Sequence, residues 1–155
     1  KGTSETLAFT SIAIFDAFIA CWDEKYRSRL IRPETYINRY IDEDWLPLLQ
    51  TPPFPEYTSG HSVASNAAAE ALTSLFGEPF HFVDSTEVNY GLPVREFDSF
   101  RQAADEAAIS RLYGGIHYMP AIVYGSTKGK NIGNHLVENV KTKSPSFSPM
   151  AENKK

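Results

Sequence analysis

From about Glu5 to Tyr26 apolar residues fall on nearly every side of a helical wheel, among them Leu7, Ile12, Ile14, Phe15, Phe18, Ile19 and Trp22. That pattern predicts a helix packed on several sides, the central one of its fold. Arg32-Pro33 ends it, because proline pushes the residue before it out of the helical region. Pro47, Pro52, Pro53 and Pro55 make residues 41–58 a connection that holds turns at most. A second helix is predicted from Ser59 to Phe76, with Ala64, Ala67, Ala68, Ala71 and Leu72 as a small, closely packing face and Gly77 as its stop. Residues 79–93 read as irregular, with a short hairpin expected around FHFVDSTEV. Ser99 and Gln102 have the spacing of a capping box and open a helix to about Tyr113, where Gly114-Gly115 interrupts it. Pro120 suits the first turn of a last helix reaching about Val140. The expected fold is therefore an all-α helical bundle without internal repeats, a catalytic domain over residues 1–141 followed by a fraying tail over 142–155.

Composition narrows the possible partners. A chain of 155 residues that is 42% hydrophobic suits one globular domain with a real core. The net charge of -4 and the lack of any long basic block argue against nucleic acid, so an anion site must be local. Cys21 is the one cysteine; it cannot form a disulfide within the chain and reads as a small buried hydrophobe. LAFTSIAIFDAFIACW comes nearest to a membrane span but contains Asp16, so no membrane partner is expected. Asp16, isolated among apolar residues, is expected to pair with a basic residue or with a buried N–H or hydroxyl. His81 and His135 match no pattern and read as surface or structural residues. Beginning at Lys1 and entering a helix almost at once, the chain is expected to be the C-terminal portion of a longer protein, with an N-terminal half as its partner.

Candidate chemistry gathers in three places. The stretch YTSGHS, residues 57–62, sets Ser59, Gly60 and His61 where the second helix begins. The first N–H groups of a helix lack partners within it and, with the helix dipole, favour an anion. Ser59 adds a hydroxyl donor and Gly60 lets the backbone come close to a ligand, although an ordinary serine cap and turn glycine would look the same. His61 in the first turn should have a lowered pKa, and neutral imidazole can act as a base; the alternative is a structural donor. KYRSRLIRP, residues 25–33, places Lys25 and Arg32 at and beyond the end of an apolar helix, where basic residues are usually solvated. SRLYGGIHY, residues 110–118, places Arg111 near a helix end and His117 just past a glycine break, and both could turn inward. A charge favourable to the helix dipole and a packed histidine are the bland alternatives.

Together these segments resemble the three signature motifs shared by vanadium-dependent haloperoxidases with type 2 phosphatidic-acid phosphatases and bacterial acid phosphatases: K-x6-R-P, P-S-G-H and S-R-x5-H-x3-D. Lys25 and Arg32-Pro33 match the first, Ser59-Gly60-His61 the second with Thr58 in place of proline, and Ser110, Arg111 and His117 the third. Ala121 stands where the phosphatases have aspartate. PPFPEYTSGHS and SRLYGGIHY are most similar to the iodide-specific bacterial haloperoxidases, which carry an additional N-terminal helical half.

The resemblance implies vanadate as cofactor, without haem or flavin, bound through one metal–nitrogen bond from His117. Lys25, Arg32, Ser59, the Gly60 N–H, His61 and Arg111 would complete the site, and Phe54 would lie close to it. Three fixed cations suit an oxyanion in a partly dry pocket. The implied substrates are hydrogen peroxide and a halide, iodide before bromide, giving a hypohalous-acid equivalent. His61 would take a proton from the peroxide and Lys25 would polarise the bound oxidant. The alternative is an acid phosphatase with His117 as nucleophile and His61 as acid, because the same donors fit the transition state of phosphoryl transfer. The lack of aspartate at Ala121 counts against it. A binding-only relative is a third reading, opposed by the intact His61. A periplasmic or secreted setting would suit a producer of corrosive oxidant.

Overall fold

Phe9, Ala13, Ala17, Cys21 and Lys25 are the buried residues of helix α1 (Gly2–Ser28), spaced four apart along one stripe. The computed structural model describes residues 2–141, so the tail expected over 142–155 lies outside the described residues. The other helices are α2 (Pro33–Tyr40), α3 (Gly60–Phe76), α4 (Phe100–Tyr113) and α5 (Met119–Asn139). Two three-residue strands, β1 (Phe82–Asp84) and β2 (Arg95–Phe97), pair antiparallel with Phe82 opposite Phe97. The all-α expectation holds.

The central helix is α3, not α1: α1, α4 and α5 all pack against α3. Leu7, Phe15 and Ile19 of α1 are 69%, 66% and 57% exposed, so the apolar circumference read as burial on several sides is buried along one stripe only. That stripe joins Val63, Ala67 and Ala71 of α3 and Leu136 of α5 in the core, and Cys21 is buried there as expected. The stretch Gly2–Tyr40 contains a window of mean hydropathy 1.4, apolar and long enough by composition to cross a membrane, with 22% of it buried. Asp16 is exposed and has no hydrogen bond or ion pair among the described residues, so the expected basic partner is absent there. It sits outside the stripe, where water solvates it.

Close approach of α5 to α3 depends on Gly125, Gly129 and Gly133. A Cβ at Gly129 would lie 2.3 Å from the Val63 carbonyl oxygen, and one at Gly133 2.8 Å from that of Ala67. Glycine in a helix interior is unfavourable by about 1 kcal/mol relative to alanine. The near-contact of two backbones offsets that penalty by filling the space with main chain.

Helix α1 ends at Ser28, ahead of the break expected at Arg32-Pro33, and Pro33 starts the next helix. The chain leaves α1 through Arg29 at φ 52, and Pro33 then occupies the first turn of α2, a helix the sequence reading did not anticipate. Ser59 caps α3 by accepting from the Ser62 N–H at 3.3 Å, and Ser99 caps α4 by accepting from Gln102 at 3.1 Å. The Gln102 side chain accepts from the Asp98 N–H rather than from Ser99, so the capping box is closed one residue early. The hairpin expected within FHFVDSTEV is also different: β1 pairs across a longer connection with 95–97. Its Phe82 stacks on Phe100 of α4, which gives the small sheet its apolar anchor.

Candidate active site

The buried stripe of α1 ends in Lys25, which is fully buried, and Arg32 just beyond is 4% exposed. Two cations can be desolvated only if their donors are satisfied. The proline-rich segment before α3 does this, since its prolines have no N–H and its carbonyls enter neither helix nor sheet. Lys25 Nζ donates to the carbonyls of Pro55 and Glu56, both at 2.9 Å. Arg32 donates through Nε to Phe54 O at 3.1 Å, through Nη2 to Pro55 O at 3.3 Å and through Nη1 to Ile116 O at 2.7 Å. Phe54 lies beside both cations, its ring centre 5.3 Å from Lys25 Nζ and 5.2 Å from Arg32 Cζ, within cation–π range of both. Trp22 backs Phe54 at 5.2 Å.

His117 is held from two sides. Arg32 Nη1 lies 2.9 Å from its Nε2, and Glu56 Oε1 lies 2.8 Å from its Nδ1. A guanidinium only donates, so Nε2 accepts and the proton sits on Nδ1, which donates to Glu56. Glu56 Oε1 also accepts from the Tyr118 N–H at 3.0 Å. Burial is the main reason that the His117 pKa lies below its usual value; Arg32 and Lys25 push it further down, while Glu56 opposes them.

The start of α3 supplies the other wall. Ser59 is fully buried, and its hydroxyl proton is not used in accepting from Ser62. Its own N–H donates to Ala121 O at 3.1 Å, which ties the beginnings of α3 and α5 together. The Gly60 N–H has no acceptor among the described residues. His61 stands at the rim, partly exposed, and its Nε2 lies 3.5 Å from Arg111 Nη1; partial desolvation of the ring first, then Arg111, lowers its pKa. Arg111 is oriented by Ser110, whose hydroxyl accepts from Nε at 3.0 Å.

The segment from Phe54 to His61 therefore contacts every motif cation: its carbonyls hold Lys25 and Arg32, Glu56 holds His117, and His61 meets Arg111. Glu56 was not singled out from the sequence. The signal available was the missing carboxylate at position 121, which leaves the imidazole needing an acid from elsewhere, and a lone glutamate within PPFPEYTSGHS. Ala121 itself is fully buried. Asp16 takes no part in the site. His81 meets Asp98 at 3.3 Å, and His135 meets Asn139, both exposed as expected.

The donors fit an oxyanion. Lys25 keeps one of its three N–H donors after meeting two carbonyls, and Arg32 keeps one of its five after four contacts. Ser59 and Gly60 add a hydroxyl and a backbone N–H. Among the described residues no group of three or more His, Cys, Asp or Glu side chains could hold a bare metal ion. A metal carried as an oxyanion, with one imidazole ligand and hydrogen bonds to its oxygens, asks for the kind of donors present.

The profile of the VCPO second helical-bundle domain matches residues 5–44 and 38–144. No curated protein matches the chain. Among solved structures, the first bacterial vanadium-dependent iodoperoxidase is 61% identical with a TM-score of 0.88, over 90% of this chain and 34% of that one. Two structures of a bacterial vanadium-dependent chloroperoxidase, holo and apo, share the fold at 22% and 21% identity with TM-scores of 0.64 and 0.67, each over 83% of this chain. The chain spans about a third of the length of these proteins. With most of its length under that profile, the chain belongs to the vanadium-haloperoxidase family, as its VCPO second helical-bundle domain.

Proposed function

We propose that this chain forms the cofactor-binding part of a vanadium-dependent haloperoxidase that uses hydrogen peroxide to oxidise halide, iodide in preference to bromide. The observation that carries the reading is the pairing of a buried, unprotonated His117 Nε2 with the buried cations Arg32 and Lys25. Bound there, vanadate would supply a Lewis acid that activates peroxide without itself changing oxidation state. His117 Nε2 is the metal ligand in this reading. Lys25, Arg32, Arg111, Ser59 and the Gly60 N–H hold the oxyanion, and neutral His61 at the exposed edge accepts the peroxide proton. Phe54 covers the two cations and excludes water from them. Iodide is favoured because it is the easiest of the halides to oxidise and because the 61% identical structure is an iodoperoxidase.

The exposed apolar side of α1, with Leu7, Phe15 and Ile19, is the surface against which the N-terminal half of the protein packs in this reading. A periplasmic or secreted location suits the oxidant produced, and fractionation of producing cells tests it.

Glu56 also supports the phosphatase alternative. It gives His117 the carboxylate that position 121 lacks, so Ala121 no longer separates the two chemistries. A paired assay on the full-length protein does. Peroxide-dependent iodide oxidation that requires vanadate and is lost in His117→Ala is the expected result. Hydrolysis of phenyl phosphate by metal-free protein, inhibited by vanadate and without halide turnover, would replace this reading with a phosphatase.

A further inference from the structure

We propose that Glu56 is a positioning residue for vanadate, holding the proton of His117 on Nδ1 so that Nε2 presents its lone pair to the metal. The inference rests on the haloperoxidase reading of the site. The contact is 2.8 Å between side chains that are 1% and 4% exposed, so water does not compete for it. The same Oε1 accepts from the N–H of Tyr118, the residue after His117, at 3.0 Å. Carboxylate and imidazole are thus clamped to one another from both sides of the peptide unit. Arg32 Nη1, which can only donate, lies 2.9 Å from Nε2; a metal at Nε2 would displace that donor, so Glu56 is the contact that keeps the proton on Nδ1 in both states.

Glu56 has a second conceivable purpose, to neutralise Lys25 and Arg32. The two roles predict opposite signs. A negative charge behind the site weakens the attraction of any oxyanion, so charge compensation predicts that removing it tightens binding. Positioning predicts the reverse for an anion that bonds to Nε2, because the carboxylate makes the imidazole a stronger ligand. Loss of such an outer partner typically costs 10- to 100-fold in metal affinity. Phosphate, held only by hydrogen bonds, should not follow vanadate.

The test uses full-length protein and Glu56→Gln, whose amide oxygen can still accept from Tyr118 and Nδ1. Vanadate and phosphate dissociation constants are measured by calorimetry, and the His117 tautomer is read from imidazole ¹⁵N shifts of metal-free protein. The expected result is vanadate binding weakened by about 10- to 100-fold, phosphate binding unchanged or tighter, and a wild-type Nε2 without a proton. Equal weakening of both anions, tightening of both or no change in either overturns the inference, as does a wild-type Nε2 that carries the proton. Wild-type protein that binds vanadate no better than His117→Ala removes the haloperoxidase reading and this inference with it. Glu56→Leu, with neither charge nor acceptor, should show a population protonated at Nε2; a spectrum like that of wild type would also overturn the inference.

Discussion

Nη1 of Arg32 donates to Nε2 of His117 at 2.9 Å and to the carbonyl of Ile116, while Nε and Nη2 donate to the carbonyls of Phe54 and Pro55. One side chain thereby joins the end of α1, the proline-rich segment and the turn before α5. Removing it strands several buried acceptors at once. Arg32→Ala should destabilise the fold by about 3–5 kcal/mol, the range for breaking a buried charge cluster, as measured by denaturant unfolding. Arg32→Lys restores the charge but not the planar fork, and should recover less than half of that loss.

Lys25 should make oxyanion binding sensitive to pH. Burial, with Arg32 adding to it, lowers its pKa to about 8, against the opposing pull of Cys21 and Glu56. The ammonium is therefore present at pH 7 and lost as pH rises through about 8. Sulfate stays divalent over that range, so its affinity should fall between pH 7 and pH 9 if the ammonium holds it. Calorimetric titration checks this, and Lys25→Met should bind weakly at both values with no step.

His117 should contribute to acid sensitivity. Its folded pKa lies below the ordinary value of 6.5, so an unfolded chain takes up the proton first. Its stabilising effect is complete above about 6.5 and declines as the pH falls below that value toward the folded pKa. The same sign holds for His61. The unfolding midpoint should therefore drop between pH 7.5 and pH 5, and drop less steeply in His117→Asn. Equal slopes for the two proteins would show that other groups dominate.

Gly129 tests the helix interface apart from the chemistry. Alanine there puts its Cβ 2.3 Å from the Val63 carbonyl oxygen, so α3 and α5 must separate. Overpacking of this kind costs about 1–3 kcal/mol, which thermal or denaturant unfolding measures. Because Ser59 and Gly60 begin α3, oxyanion affinity should fall with it. Ala64→Gly, on α3, is the control and should lower stability by about 1 kcal/mol through helix propensity alone.

Helices α3, α4 and α5 were legible because their ends carry local signals: a serine cap at Ser59 and at Ser99, Gly77 as a stop, the break at Gly114-Gly115 and Pro120 in the first turn. Capping and proline geometry act over three or four residues, so neighbours along the chain suffice to read them. Motif spacing is local in the same sense, and it named Lys25, Arg32, Ser59, Gly60, His61, Arg111 and His117 before their surroundings were known. Phe54 was legible only through the family resemblance. That it covers two cations depends on residues 22 and 29 positions away.

Burial was less accessible, because an apolar residue does not say what will cover it. The even apolar circumference of α1 predicted a central helix, yet only its i, i+4 stripe is buried and α3 takes the centre, where the glycines of α5 admit a second backbone. Lys25 looked like a solvated helix end; being the last position of that stripe is what carries it inside. Glu56 is the plainest case. Residue types and spacing along the chain were enough for the family and for four of the five helices, since each depends on near neighbours or on a pattern of letters. The state of His117 depends on Glu56, 61 positions away, and Arg32, 85 away, and only packing that brings those groups within 3 Å in the absence of water decides which nitrogen keeps its lone pair.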